Sequence, residues 1–421
     1  MKYSKIVGAV AVGALALGLA ACSNTPSDSS SGGKATITWA VLNGTTVADK
    51  VIAAFEKKYP NIKVTATSTN TDTYQTLMRT QLSAGTAPDI LSVFPGAGSA
   101  MSMSTLAKAG LLMDVSNQPL AKNVPSGFKS VATYKGKTYI AVSESTAIGV
   151  AYNVTAMKAV GLTAPTTWSE LLKFCDDAKA QGKSAFANAV ATSWNTQLIP
   201  YALTPALVYG SHPNFVADMA AGKATFADSG WKTAFEKYVQ MRKEGCFQDG
   251  DLGTVYENAL ADVAKGTSLA SVQIAPSIAA MQKEAPAGTE FNLLPMPAND
   301  KPSSTRMAVA AGASNGVNAK TKHSAAALTF LNYLGSNAGQ NVYATADSAS
   351  PATPNKSFTV PSYLTTTMKY AAEGKIDPFM DQLWPNPKIQ QVHITGLQTM
   401  LAGTLSPSDL LAQMDAAYKQ G

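Results

Sequence analysis

The chain has 421 residues, of which 46% are hydrophobic and 14% charged, and its formal net charge is +6 at pH 7. This composition indicates a well-packed globular protein. The positive charge is mild and forms no basic cluster with interleaved aromatic residues, which excludes a typical nucleic-acid-binding protein.

The first residues are typical of an exported lipoprotein. Two lysines precede an apolar run from Ile6 to Ala20, which is too short to span a bilayer comfortably. The run ends in Leu19-Ala20-Ala21-Cys22, which resembles a bacterial lipobox, where the cysteine becomes the acylated first residue of the mature protein. We therefore predict a signal peptide over residues 1–21, lipidation of Cys22, and an extracytoplasmic protein anchored to the cell membrane.

Residues 22–33 are predicted to be a flexible tether. After the cysteine they contain only Ser, Asn, Thr, Pro, Asp and Gly, which offer no apolar surface to bury. Removal of the leader and its two lysines would leave a net charge of +4. About 390 residues follow the tether, which is too many for one ordinary core and suits two large lobes.

Strands and helices alternate from Lys34 onward. Apolar periodicity predicts a strand over 36–41, a helix over 47–59, a strand over 62–66, a helix over 74–82 and a short buried strand over 90–94. Gly85 is predicted to end the second of these helices. The order β-α-β-α-β predicts a parallel sheet with helices on its faces.

Later helices are marked by their capping residues. Thr167 with Glu170 forms the pattern of a capping box, and Ser229 is placed to cap a helix that Gly245 closes. Apolar residues over 326–334 form one helical face, and Ser406-Pro407 is a typical start for the last helix.

Two cysteines remain once Cys22 is assigned to lipid. Cys175 lies in a predicted helix and Cys246 follows the glycine that ends another, and the predicted compartment is oxidising. We predict a disulfide between them, and a pair of buried free thiols is the alternative.

Four segments together resemble the family 1 extracellular solute-binding proteins of ABC transporters. They are FEKKYPNIKV at 55–64, LSAGTAPDIL at 82–91, the stretch from YKGKTYIAV to TTWSELL at 134–172, and ALTFLNYLGSNAGQNVY at 327–343. The resemblance implies an α/β, two-lobed periplasmic-binding-protein-like fold of type II. Ligand would bind in a cleft between the lobes, which close around it by hinge motion.

The same resemblance implies how the lobes divide the chain. Crossings are expected near residues 142–147, 310–312 and 350–354. The N-terminal lobe would comprise 34–143 plus 312–350, and the C-terminal lobe 144–311 plus 351–421.

Candidate ligand contacts follow from the chemistry of sugars. Hydroxyl groups need paired donors and acceptors, and the C–H faces of a sugar ring stack on flat aromatic rings. Residues at strand ends, in loops and at the crossings supply such groups, and they are Asn43, Thr45, Phe94, Glu144, Trp194, Asn195, Gln273, Arg306 and Trp384. Lobe packing is the alternative role for the two tryptophans, and solvent exposure is the alternative for Glu144 and Arg306.

An enzyme is the main alternative from another class. The segment 312–316 matches the G-x-S-x-G nucleophile elbow of serine hydrolases, with Ser314 as nucleophile. Candidate partners follow in hydrolase order as Asp347, Asp377 or Asp381, and then His393. The elbow needs a helix directly after the serine, whereas residues 316–319 are predicted to continue as a loop. A glycosidase is a further alternative.

The favoured interpretation is a non-enzymatic, lipid-anchored receptor that delivers a carbohydrate, of oligosaccharide size, to the permease of an ABC importer. A polyol or peptide ligand is the alternative within the binding class. The expected partners are the carbohydrate, the permease subunits and, through the lipid anchor only, the membrane. We expect a monomer with no cofactor, no metal site and no nucleic-acid partner.

Overall fold

The computed structural model describes residues 34–42 and 45–420. The predicted signal peptide, the tether, Cys22 and Asn43 lie outside the described residues. Within the described part of the chain, no helix has the length and apolarity needed to cross a bilayer.

Fourteen strands are present among the described residues. They are β1 (Ala35–Leu42), β2 (Ile62–Thr69), β3 (Ile90–Ser92), β4 (Thr133–Tyr134), β5 (Lys137–Thr138), β6 (Ile140–Val142), β7 (Glu144–Asn153), β8 (Ser184–Phe186), β9 (Ser268–Ile274), β10 (Phe291–Leu294), β11 (Met307–Ala311), β12 (Ser314–Val317), β13 (Ser350–Pro351) and β14 (Ile376–Asp377).

Seventeen α-helices are present among the described residues. They are α1 (Thr45–Lys58), α2 (Thr71–Ala84), α3 (Met103–Lys108), α4 (Pro119–Lys122), α5 (Lys129–Ala132), α6 (Val154–Ala159), α7 (Trp168–Ala180), α8 (Leu198–Thr204), α9 (Phe215–Ala220), α10 (Gly230–Lys243), α11 (Tyr256–Lys265), α12 (Ser277–Glu284), α13 (Ser324–Leu334), α14 (Asn337–Ala346), α15 (Thr365–Ala372), α16 (Pro387–Leu401) and α17 (Pro407–Tyr418).

The first sheet has the strand order β2-β1-β3-β12-β6. Strands β1, β2 and β3 run parallel, whereas β12 pairs antiparallel with β3 and with β6. Helices cover both faces, and on one face Trp39 meets Phe330 edge to face with ring centroids 5.2 Å apart. The Trp39 Nε1–H donates to Asn315 Oδ1 at 2.9 Å, which joins β1 to the later strand β12. The elements around this sheet form the first lobe.

The second sheet has the strand order β14-β11-β7-β9-β8, and β10 and β13 also pair with β7. The ten-residue strand β7 is its centre and is buried along nearly its whole length. One face packs against an aromatic cluster formed by Tyr201, Phe226, Trp231, Phe235, Trp384 and His393. The elements around this sheet form the second lobe.

The chain passes three times between the two sheets. Ser143 separates β6 from β7, and Gly312 and Ala313 separate β11 from β12. A third passage follows α14 and ends before residue 350, because Ser350 already pairs with Ser145 in the second sheet. Segments far apart in the sequence therefore meet at one junction between the lobes.

The predicted helix caps are confirmed. Thr167 and Glu170 form a reciprocal capping box at the start of α7, and Ser229 accepts a hydrogen bond from the backbone of α10. Gly85 ends α2 in the left-handed conformation, with φ of 72°. The predicted loop at 316–319 is wrong in part, because residues 314–317 form β12 between two partner strands.

A disulfide joins Cys175 of α7 to Cys246, which follows α10, with Cα atoms 4.7 Å apart. The backbone carbonyl of Cys246 also accepts a hydrogen bond from the Phe186 N–H of β8 at 2.9 Å. The bond therefore links α7 to the segment after α10, at the edge of the second sheet.

Candidate functional site

A cavity of about 360 Å³ lies at the junction of the two lobes, within the range of small-molecule sites. One wall comes from α2, from the end of β3 and from the loop that follows it. The opposite wall comes from the second lobe, and the crossing segments form the floor between the two walls.

The first-lobe wall is fixed by the start of α2. Asn70 caps this helix by accepting a hydrogen bond from the Thr73 N–H at 2.9 Å, and the Tyr74 hydroxyl donates to the carbonyl of Ser92 at 2.8 Å. These two bonds set the helix against β3, so that Asp72 and Gln75 line the cavity.

The loop after β3 reaches across to the second lobe. A Cβ atom on Gly96 would collide with the carbonyl oxygen of Gln382, and one on Gly98 would collide with that of Asp381. Glycine is therefore required at both positions for the two backbones to approach this closely. The contact closes one side of the cavity.

An aromatic surface lies on the second-lobe wall. The rings of Trp194 and Tyr256 are tilted by 56° with centroids 4.9 Å apart, and both side chains line the cavity. The Tyr256 N–H donates to Thr192 Oγ1 at 2.9 Å, and its hydroxyl lies 2.8 Å from Ser277 Oγ. These bonds hold the Tyr256 ring in place, so the cavity presents a preformed aromatic surface.

Two buried carboxyl groups meet at the floor of the cavity. Glu144 Oε1 accepts from the Ala313 N–H at 3.1 Å, and a Cβ on Gly312 would lie only 2.7 Å from the same oxygen. Burial, and then the neighbouring charge of Asp347, raise the pKa of Glu144 well above its usual value, and burial raises the pKa of Asp347 to about 7. Each group disfavours ionisation of the other, because two buried negative charges at close range repel.

A third carboxyl group lies on the second-lobe wall. Asp381 Oδ2 accepts from Gln390 Nε2 at 2.9 Å, and burial raises the pKa of Asp381 to about 6. Beside it, Gln382 Nε2 donates to the carbonyl of Ala311 at 2.8 Å. This bond orients the amide group so that its oxygen points away from Ala311. Asp72, on the opposite wall, also has its pKa raised by burial.

The arrangement combines an aromatic surface with hydrogen-bonding groups on three sides. This combination suits a polyhydroxylated ligand, whose rings stack and whose hydroxyl groups donate. Among residues 34–42 and 45–420, no group of three or more His, Cys, Asp or Glu side chains could hold a metal ion.

The sequence profile of a family described as bacterial extracellular solute-binding protein matches residues 50–360. The chain belongs to this family. Its "multiple sugar-binding protein" relative from Streptococcus mutans is 25% identical over 343 residues, which cover 79% of each chain.

Solved structures share the fold of this solute-binding protein. RafE in complex with raffinose aligns with a TM-score of 0.76 at 21% identity, over 91% of this chain and 99% of RafE. A sugar transporter of Bacillus licheniformis in complex with stachyose aligns with a TM-score of 0.72 at 17% identity, over 91% and 99% of the two chains. The predicted two-lobed α/β fold is confirmed.

Three of the predicted ligand contacts of the solute-binding protein line the cavity. Phe94 follows β3, Glu144 opens β7 at the first crossing, and Trp194 lies in a 3₁₀ segment before α8. Thr45 is the first residue of α1, so it follows the first strand as expected.

Four other predicted contacts lie outside the cavity lining. Asn195 and Gln273 are buried behind it and bond each other, with Asn195 Nδ2 donating to Gln273 Oε1 at 3.2 Å. Arg306 donates through Nε to Asp377 Oδ2 at 2.6 Å and through Nη2 to nearby carbonyl groups. Trp384 is 3% exposed within the aromatic cluster, which is the packing alternative considered for it. The position of a residue after a strand or helix did not by itself indicate whether its side chain faces the cavity.

The geometry of a serine hydrolase is absent from these positions. Ser314 opens strand β12 and donates to the carbonyl of Gly312 at 3.1 Å, so it does not lie on a turn between a strand and a helix. His393 is buried in the aromatic cluster, and neither of its ring nitrogens has a hydrogen-bond partner among the described residues. The proposed nucleophile and base therefore do not meet.

Several residues that line the cavity could not be recognised as binding-site candidates from the sequence. Asp72 and Gln75 resemble ordinary polar residues of a helix start, and Tyr256 resembles an apolar residue of α11. Gln382 lies in a short 3₁₀ segment with no pattern of its own. The glycines of the Pro95–Ser99 loop were the available clue, because clustered glycines permit close backbone approach.

Proposed function

We propose that the protein is the substrate-binding component of an ABC importer and that it binds a carbohydrate in the cavity between its lobes. The observation that carries the proposal is the pairing of the Trp194–Tyr256 surface with opposing polar side chains in one cavity. The sugar-binding relative and the two sugar-bound structures of similar fold support the same ligand class.

The proposed ligand is a short oligosaccharide. A cavity of about 360 Å³ is near the lower end of the size of small-molecule sites, which favours a few sugar rings over a long chain. Sugar rings would stack on the aromatic surface, and their hydroxyl groups would donate to Glu144, Asp381 and Gln382. A polyol could use the same acceptors, but it lacks the flat face that stacking requires.

The protein is proposed to act without catalysis. Ser314 bonds the carbonyl of Gly312 and not a histidine, and Glu144 Oε1 is bonded to the backbone N–H of Ala313. Release to the permease would follow from the opening of the lobes at the three crossings, as in hinge-bending binding proteins.

A thermal-shift panel tests the ligand class. Bound ligand raises apparent stability by mass action, so a matching oligosaccharide at a hundred times its Kd should add about 2.7 kcal/mol. The panel contains neutral oligosaccharides, polyols, amino acids and short peptides. A shift with peptides and none with any saccharide would overturn the proposal, as would turnover of a chromogenic glycoside or ester.

The lipid anchor is proposed from Cys22 and has its own test. A Cys22→Ser variant expressed from the full gene should move from the membrane fraction to the soluble extracytoplasmic fraction, because the acylated thiol is lost. A Cys175→Ser variant is the matched control and should stay in the membrane fraction. Equal membrane recovery of the Cys22 variant and the wild type would contradict the anchor.

A further inference from the structure

We propose that the cavity selects its saccharide by charge, so that affinity falls in the order amine-bearing, neutral and acidic for sugars of the same skeleton. The inference rests on the proposed function and names the chemical subclass of its ligand. Sugar acids and sugar phosphates would be rejected.

The described cavity lining contains four carboxyl side chains and no Lys, Arg or His. The carboxyl groups are Asp72 on the first-lobe wall, Glu144 and Asp347 at the floor, and Asp381 on the second-lobe wall. The whole chain has 33 basic and 27 acidic residues, so this asymmetry is local to the cavity. A cavity with one sign of charge concentrates ligands of the opposite sign.

None of these four carboxyl groups has an ion-pair partner among the described residues. Arginines that could have served are committed elsewhere, since Arg306 pairs with Asp377 and Arg242 pairs with Asp251. The pKa of each of the four carboxyl groups is raised, and burial is the largest cause in every case. A cation that enters the cavity would supply the missing partner.

Buried oxygen atoms without a hydrogen-bond partner also favour a ligand that is rich in donors. Gln382 is 8% exposed, its amide nitrogen donates to the carbonyl of Ala311, and its Oε1 receives no hydrogen bond from a described residue. Thr146 is 7% exposed, lines the cavity and also lacks a partner for its hydroxyl. A buried acceptor without a donor is costly, so the ligand must bring donors.

Amine-bearing, neutral and acidic sugars differ in the hydrogen-bond donors and acceptors that they offer to the cavity. An ammonium group offers three donors and no acceptor, and a hydroxyl group offers one donor. A carboxylate offers only acceptors and adds a negative charge next to four carboxyl groups. A bare metal ion is not the expected cation, because the carboxyl groups belong to different walls and form no chelating cluster.

The test uses matched sets of sugars built on glucose, galactose and mannose. Each set contains the neutral sugar, its amino analogue and its uronic-acid analogue, each as monosaccharide and as disaccharide. Titration calorimetry at pH 7 measures each affinity, because Asp381, whose pKa is about 6, is then mostly ionised. We expect the amino analogue to bind at least tenfold more tightly than the neutral sugar, and the acid at least tenfold more weakly. An acid that binds as tightly as its neutral partner, or an amine that binds no better, would overturn the proposal while the proposed function stands.

A carboxyl variant tests the origin of the selectivity. Asp381→Asn keeps the shape of the side chain and removes its charge, so the ratio of amine to neutral affinity should fall about tenfold. Asp49→Asn is the matched control, because Asp49 is an exposed residue of α1 outside the cavity lining. An unchanged ratio in a folded Asp381 variant would contradict the assignment, and binding of no saccharide by the wild type would overturn the proposed function together with the inference.

Discussion

Asp89 is a buried carboxylate with a structural role. Its Oδ2 accepts from both the N–H and the hydroxyl of Thr38 at 2.8 Å, and its Oδ1 accepts from Thr321 and lies 3.1 Å from His323 Nδ1. Burial alone would raise its pKa, but these hydrogen bonds lower the pKa overall. The carboxylate therefore ties β1 to the segment after β12.

His393 is predicted to make the fold sensitive to acid. It is stacked on Tyr201 and on Phe235, and burial lowers its pKa to about 3. In the unfolded chain the pKa of histidine is about 6.5, so below this pH the unfolded chain binds a proton that the native state does not bind. The neutral histidine therefore contributes stability that is complete above that pH and is lost as the pH falls toward 3.

A His393→Leu variant tests this linkage. Urea unfolding at pH 7 and pH 5 gives the free energy of unfolding of the variant and the wild type. From pH 7 to pH 5, the free energy of unfolding of the wild type should fall by about 2 kcal/mol more than that of the variant. A difference that is the same at both pH values would show that His393 takes up a proton in the native state.

At the scale of elements, the disulfide is predicted to stabilise the second lobe. Cys175 and Cys246 are 71 residues apart in sequence, so the bond closes a long loop and restricts the unfolded chain. A double Cys→Ala variant should lose about 2–5 kcal/mol in the free energy of unfolding. Reductant should lower the unfolding midpoint of the wild type and leave that of the variant unchanged. Equal midpoints for the wild type with and without reductant would contradict the bond.

The glycine loop after β3 is predicted to be needed for closure of the cavity. A Gly98→Ala variant places a methyl group where the Asp381 carbonyl now lies, while its backbone φ is compatible with alanine. Ligand affinity should fall at least tenfold, because the two backbones can no longer approach closely enough to close this side of the cavity. Gly127→Ala is the matched control, since nothing lies within 4 Å of the added methyl group. Unchanged affinity in the Gly98 variant would show that the lobes close without this contact.

The local elements differ in how far the sequence determines them. The start of α7 was predictable because Thr167 and Glu170 satisfy each other's backbone donors within four residues. Strand β12 was not predictable, because its conformation depends on β3 and β6, whose residues lie far away in sequence. Pairing on both sides makes Ser314–Val317 a strand despite its small and polar composition.

At the scale of the whole molecule, the two-lobed fold was predictable and most of the cavity was not. Apolar residues that alternate along the chain, such as Ile37, Trp39 and Val41, indicate a strand from local sequence alone. All three of these side chains are fully buried. The cavity instead assembles residues from α2 to α16 at three crossings, and no local pattern encodes that meeting. Glu144 was found because it lies at a crossing, whereas Asp72 was missed because it looks like an ordinary helix start.

A carbohydrate bound between the lobes is proposed to lie against the Trp194–Tyr256 surface. Titration calorimetry of the wild type and a Trp194→Ala variant, with the best saccharide from the thermal-shift panel, measures the contribution of that surface. We expect one saccharide bound per wild-type chain and at least tenfold weaker binding by the folded variant, because the stacking surface is lost. Binding of equal strength to both proteins would show that the ligand does not bind against these rings.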